Sequence, residues 1–350
     1  MLSSRLYRAV FLWAAMALSL ACHASSETVG MRSITFVSPE RATNISALVW
    51  YPAVTGEEQA QTLIGDNAVF HGVPAYQDAP IAGGRFPLVI IAHGGFRSSP
   101  YSVNWLAAAL ARSGYVAAII NPPALPAGQA TQAVVDEFWL RPADLSTAIT
   151  ALTEQMPWSH NIAADRIGAV GFFLGGYTTL ALAGARVDNA GFIDACKGEQ
   201  QRFDCAWFEK GGVDLHQFDS EQLGQSYLEP RLTTAVVIDP EWTHIFSPVS
   251  LAAVELPVDL FNTGPWASAE SPLNASALAD TLSTSHYTTI EPAGKYSSFA
   301  ECKPKGVFIL KEEGADASLC DDGPENPARA ETHQRIVNEI LSVLDRQLKL

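Results

Sequence analysis

The chain is short of positive charge: 22 Lys and Arg stand against 37 Asp and Glu in 350 residues, a formal net charge of −15. A nucleic-acid backbone is bound by clustered basic side chains that replace its counterions, and no basic run occurs anywhere, so that class of partner is excluded. Charged residues make up only 17% of the chain and hydrophobic ones 48%, which excludes a disordered, solvated polymer. Outside the amino terminus no apolar run is long enough to span a bilayer. Cysteine is scarce, five in all, and neither a CxxC pair nor a His-rich spacing supplies a zinc ligand set. No cofactor-binding motif is present either. There is no internal repeat and no linker that would separate two domains. A chain of this length can bury roughly three quarters of its unfolded surface in one large domain.

The amino terminus reads as an address. Arg5 and Arg8 precede the apolar stretch from Ala9 to Leu20, a basic region followed by a short hydrophobic one, the form of a secretory signal. Cleavage after Ala24 would make residues 1–24 the signal and 25–350 the mature chain. Lipidation at Cys22 is the rival, because Leu20-Ala21-Cys22 is a degraded lipobox. On either route the protein is exported to the periplasm or the exterior. Four cysteines then remain, Cys196, Cys205, Cys302 and Cys320. An even count in an oxidising compartment predicts two disulfides. Three pairings are open, and the local one, Cys196–Cys205 with Cys302–Cys320, is the simplest.

Strands and helices alternate along the mature chain. Ile34 to Val37 and Ile45 to Tyr51 read as opening strands, followed by a polar excursion to Pro87. Leu88 to Ala92 is a continuous apolar run delivering the turn His93-Gly94-Gly95. Tyr101 to Arg112 has helical spacing, Tyr115 to Ile120 is a strand, and Asp144 to Gln155 is a helix with Pro142 just ahead of it. Arg166 to Gly171 predicts a strand and Gly175 to Arg186 a helix of small residues. The polar and aromatic stretch 187–230 breaks the rhythm and reads as an insertion ahead of the sixth strand of the main sheet. Strands resume at Thr234 to Ile238, Val258 to Phe261 and Tyr287 to Ile290, and a helix from Arg329 to Leu348 closes the chain. Strands that are apolar throughout, separated by helices, predict a mainly parallel sheet covered on both faces.

The segment Gly171-Phe172-Phe173-Leu174-Gly175 sits where a strand passes abruptly into a helix. A G-x-S-x-G turn at such a place holds a nucleophilic serine on strained backbone. Here the glycines are present and the middle residue is Phe173. With His93-Gly94-Gly95-Phe96-Arg97, Val237-Ile238-Asp239-Pro240 and Ala293-Gly294-Lys295-Tyr296-Ser297-Ser298-Phe299, the chain from about residue 30 onward resembles the secreted dienelactone hydrolase and platelet-activating-factor-acetylhydrolase-like group. That resemblance implies the α/β-hydrolase fold and carboxylic ester hydrolysis through an acyl-serine. It also implies a Ser, Asp, His triad in chain order. Carried over by position, Phe173 stands where the serine would be, Asp239 matches the acid, and Lys295 occupies the histidine position. A second acid position, around Gly264 to Ala267, holds no carboxylate. Backbone N–H groups of Gly95 and Leu174 would form the oxyanion hole, which needs no side chain.

Phenylalanine has neither a proton nor a lone pair, so covalent catalysis at 173 is excluded. A lysine ammonium is charged at neutral pH and makes a poor base; its expected partner is Asp239, in a salt bridge tying two loops together. Loss of triad members leaves serine proteases ~10³–10⁴-fold above water, far below a working enzyme. Ser297 and Ser298 beside Lys295 suggest a Ser–Lys dyad, but lack an elbow's presentation. His93 reads as a structural support of the glycine turn. His71, His216, His244 and His286 have no partner pattern, and His333 reads as a capping or surface residue. Trp139, Trp158, Trp207, Trp242 and Trp266 read as core by default. Two functions remain. One is a protein without turnover that binds a small ester or lipid-like ligand, or a protein partner. The other is an active secreted serine esterase whose native sequence has Ser at 173 and His at 295.

Overall fold

A computed structural model describes residues 28–56, 59–95, 98–123, 132–194 and 219–349. The strands are β1 (Val29–Ser38), β2 (Thr43–Pro52), β3 (Thr62–Ile64), β4 (Val73–Gln77), β5 (Phe86–Ala92), β6 (Val116–Asn121), β7 (Ile162–Phe172), β8 (Leu232–Ile238), β9 (Val258–Thr263) and β10 (Ser285–Ile290). They form one ten-stranded sheet in the order β10-β9-β8-β7-β5-β6-β2-β1-β4-β3. From β6 to β10 every pairing is parallel, while β1 and β2 add an antiparallel edge through β2 and β6. This mixed, mostly parallel sheet with helices is the α/β-hydrolase fold. The apolar runs of β5 to β9 account for the parallel part, since strands buried on both faces carry side chains that all avoid water.

Alternation along each strand splits the core into layers. Val89, Ile91, Ala117 and Ile119 face the helices α1 (Asn104–Arg112) and α4 (Arg329–Leu348), where Leu106, Leu110, Ile336 and Ile340 are buried. Leu88, Ile90, Ala118 and Ala169 face the opposite helix α2 (Gln132–Glu154), through Leu145, Ala148, Ile149 and Leu152. On that same side Leu174, Tyr177 and Leu180 of α3 (Leu174–Leu182) pack with Ala235 and Val237. Among the described residues no helix is long and apolar enough to cross a membrane.

Two expectations change. The polar excursion before Pro87 contains β3 and β4, which pair with each other and place β4 beside β1. The second helix runs from 132 to 154 with Pro142 inside it, well ahead of the predicted start. Proline removes one helical hydrogen bond, and here the residues flanking it are locked by ion pairs. Arg41 reaches Glu137 at 3.0 Å and Asp144 at 2.8 Å, and Arg141 reaches Glu137 at 2.7 Å. Burial nonetheless pushes the Glu137 and Asp144 carboxyls up, against the pull of those arginines. The predicted insertion lies mostly outside the described residues, including Cys196, Cys205, Trp207 and His216. The closing helix has the bounds expected.

Cys302 and Cys320 form a disulfide with a Cα–Cα distance of 5.7 Å, the local pairing expected for the second pair. It closes a loop directly after the segment that carries Lys295.

Arg141 also joins three parts of the fold. Its guanidinium donates to the carbonyl of His93 at 2.7 Å and lies 3.4 Å from the hydroxyl of Thr178 in α3, besides pairing with Glu137. Breaking one partner of a buried ion network strands the remaining charges. Arg141→Leu should therefore cost about 3–5 kcal/mol in urea unfolding. Arg141→Lys, which keeps the charge but cannot span three partners, should fall between the two.

Candidate functional site

The candidate residues Gly95, Phe173 and Asp239 stand just beyond the carboxyl ends of β5, β7 and β8. β7 ends at Phe172, and α3 begins at Leu174; between them Phe173 adopts φ 51° and ψ −119°. Left-handed backbone is costly for any residue with a side chain. The surroundings hold it there. Its N–H donates to Ile238 O at 3.0 Å, and its carbonyl accepts from Gly176 N at 2.8 Å and Glu241 N at 3.1 Å. The flanking glycines are required by close approach. A Cβ at Gly171 would stand 2.1 Å from Gly175 O, and one at Gly175 would stand 2.0 Å from Ala92 O.

The turn after β5 presses on this elbow: a Cβ at Gly94 would meet Phe173 Cβ at 2.6 Å. Gly95 follows with φ 70°, so the segments carrying the Gly95 and Leu174 N–H groups adjoin. Phe96 and Arg97 lie outside the described residues. His93 is buried, its Nδ1 2.5 Å from Ser98 Oγ and its carbonyl held by Arg141. Burial and the Arg141 charge push its pKa down to about 3, which leaves a neutral, weakly basic ring. The structural reading of His93 fits these contacts.

The phenyl ring of Phe173 is buried at 6% exposure. It meets Phe299 with ring centroids 5.5 Å apart and Trp266 edge-on at 6.4 Å, and Phe299 in turn meets Tyr296 at 5.4 Å. Trp266, expected in the core, is only partly buried and stands at this aromatic cluster.

Asp239 follows β8 with φ 46° and is fully buried. Its Oδ1 accepts from Asn262 Nδ2 at 3.0 Å and Thr263 N at 2.8 Å, and its Oδ2 accepts from Thr263 Oγ1 at 2.6 Å. Burial raises its pKa to about 6 against these bonds, which favour the charged form. The expected Lys295–Asp239 salt bridge does not form, because Thr263 and Asn262 occupy the carboxylate. Lys295 is exposed, with Nζ 5.3 Å from the Trp266 centroid and 5.0 Å from that of Tyr296, while its carbonyl accepts from Trp266 Nε1 at 2.7 Å.

Nor does a Ser–Lys dyad form. Ser297 Oγ donates to Asp322 Oδ1 at 2.9 Å and accepts from Gly294 N at 2.8 Å, and the buried Ser298 hydroxyl has no hydrogen-bond partner among the described residues. Arg329 fixes Asp322 at 2.8 Å. His333 is no surface residue. Its ring stacks on Trp105 at 3.8 Å and its Nε2 lies 2.8 Å from Phe299 O, so it anchors the Lys295 loop from α4. Burial drives its pKa down to about 4. The sequence pattern assigns His333 a capping or surface role, which its burial corrects, and gives no role to Asn262 or Thr263. The one available signal was a polar Asn-Thr pair closing the apolar run of β9.

No protein-family model and no curated protein matches the chain. Solved structures do. A ferulic acid esterase from Streptomyces cinnamoneus superposes with a TM-score of 0.60 at 16% identity, over 94% of this chain and 92% of that one. A dienelactone hydrolase-like promiscuous phosphotriesterase from metagenomic libraries gives 0.47 at 12% identity, over 91% and 98%. A lipase/esterase from Lactobacillus plantarum gives 0.42 at 14%, over 81% and 98%. At such identities the likeness establishes the fold.

Two measurements test this geometry. Gly175→Ala should lose more than ~3 kcal/mol or fail to fold, since backbone opposes the new methyl, whereas Gly83→Ala, with nothing within 4 Å, should stay within ~1 kcal/mol. The second is the pH dependence of urea unfolding. Native His333 stays neutral down to about 4, whereas an unfolded histidine gains its proton below ~6.5. Its contribution is therefore present above ~6.5 and lost as pH falls, by about 1.4 kcal/mol per unit. Asp239 acts oppositely, its contribution present below ~4 and lost as pH rises to about 6. Relative to wild type, His333→Gln should gain stability on acidification from pH 6.5 to 4.5, and Asp239→Asn on alkalinisation from pH 4 to 6.

Proposed function

We propose that this protein is a catalytically silent descendant of ester hydrolases, which uses the elbow end of its α/β-hydrolase fold to bind a small ester or lipid-like ligand without turning it over. The observation that carries the reading is the buried Phe173 ring, seated where an attacking oxygen would have to stand. A benzyl group cannot form an acyl intermediate, and it occupies the space of the tetrahedral carbon. Asp239 supports the same conclusion, because its oxygens are spent on Asn262 and Thr263 and no imidazole stands at 295 for it to orient. The ester-hydrolase ancestry rests on the esterase of similar fold and on the segments at the elbow, the glycine turn and the Lys295 loop. The Cys302–Cys320 disulfide and the basic-then-apolar amino terminus support export to an oxidising compartment.

One observation favours the second reading, an active secreted serine esterase with Ser at 173 and His at 295. The elbow keeps φ 51° at a residue that gains nothing from the strain. In that reading the backbone N–H groups of Gly95 and Leu174 would serve as oxyanion donors.

Purified protein should hydrolyse p-nitrophenyl acetate and butyrate at the buffer rate, with no burst, and a fluorophosphonate probe should leave it unlabelled. Enzyme-like turnover or labelling overturns the silent reading. The double variant Phe173→Ser, Lys295→His should gain probe labelling and ester turnover. A folded, inert double variant removes the second reading.

A further inference from the structure

We infer that the aromatic cluster at the elbow, together with Lys295, forms a binding site for a planar aromatic carboxylate; the inference rests on reading this site as one that binds without turnover. Four rings meet there in sequence, Trp266 on Phe173, Phe173 on Phe299, and Phe299 on Tyr296. Phe173 forms the buried floor, while Trp266, Tyr296 and Phe299 each keep part of their surface exposed. Aromatic surface of this kind is filled best by another flat ring, which gains offset or edge contacts that an alkyl chain does not make.

Lys295 brings an ammonium to this surface, over the Trp266 and Tyr296 rings. Among the described residues no carboxylate lies within ion-pair distance of it, although acids outnumber bases in the chain. Hydrogen bonds from Ser318 Oγ at 2.6 Å and Ser318 N at 2.9 Å hold the Asp316 carboxyl below its usual range, with a smaller contribution from the Lys295 charge, so that carboxylate is already engaged. Lys295 instead rests over the Trp266 and Tyr296 faces. A cation over an exposed ring is held more weakly than one hydrogen-bonded to a carboxylate. An arriving aromatic carboxylate therefore offers the ammonium a better partner. In taking it, Lys295 uncovers the ring faces against which the aromatic part of the ligand packs. The acidic surplus of the chain opposes an anion at long range, but physiological salt screens charges beyond ~8 Å, so the local ammonium decides.

The test is titration calorimetry on the full mature protein with four probes: 2-naphthoate, 2-naphthalenemethanol, octanoate and trimethylphenylammonium. The expected result is one saturable site with 2-naphthoate the tightest. Lys295→Met should weaken 2-naphthoate about tenfold, the effect of one charge-assisted hydrogen bond, and leave 2-naphthalenemethanol within about twofold. Trp266→Leu should weaken both naphthalene probes. The inference falls if 2-naphthoate binds no tighter than octanoate, if the ammonium probe binds best, or if Lys295→Met leaves 2-naphthoate unchanged. Lys295 is exposed, so its variant remains decisive even if Trp266→Leu does not fold. Ester hydrolysis by the same preparation would overturn the silent reading while leaving the 2-naphthoate result standing. Failure of 2-naphthoate without hydrolysis removes only the ligand class.

Discussion

Where β7 turns into α3, the chain must reverse within one residue, and at Phe173 it does so with φ 51°. The backbone there is over-determined by three hydrogen bonds to strand β8, to the turn after it and to the next helix. The glycines on either side lie so close to neighbouring carbonyl oxygens that no Cβ would fit. Because the glycine turn after β5 packs on the same residue, the elbow sets the distance between β5, β7 and β8 at their carboxyl ends. The turns after β5 and β8 are thereby both held against that one strained residue.

The loops are then tied by polar groups that packing alone would not place. Arg141 reaches from α2 to the carbonyl of His93 and to Thr178, so the turn, the long helix and the helix after the elbow share one buried guanidinium. Asp239 joins the ends of β8 and β9 through Asn262 and Thr263. On the far side His333 and Arg329, both from the closing helix, hold the Lys295 loop through Phe299 O and Asp322. Buried polar networks of this kind are strong only when each member is satisfied. Here they keep the loops at the carboxyl ends of the strands in order around Phe173 and Lys295.

Much of this was legible in the residues. Apolar runs at β5 to β9 gave a parallel sheet because strands buried on both faces have no polar alternation to display. The elbow was legible from Gly171, Phe173 and Gly175, since only a tight strand-to-helix passage needs glycines at that spacing. The extent of α2 was not, because Pro142 reads locally as a helix boundary, and ion pairs from Arg41, a hundred residues away, hold its flanks. His333 was misjudged for a similar reason. A histidine near a helix start looks like a cap, and nothing in its own segment reveals Trp105 and Phe299.

The sequence by itself determined the fold class and the place of the tight strand-to-helix turn at Phe173, and it made the local partner of Cys302 the simplest of three open pairings. These depend on residue type and short spacing. The tertiary structure decided which groups face each other: Asp239 bonds Thr263 and Asn262 instead of Lys295, and Lys295 lies on the rings of Trp266 and Tyr296. Contacts between residues far apart in the chain are set by how the loops come down on the sheet, and no local pattern of residues records that.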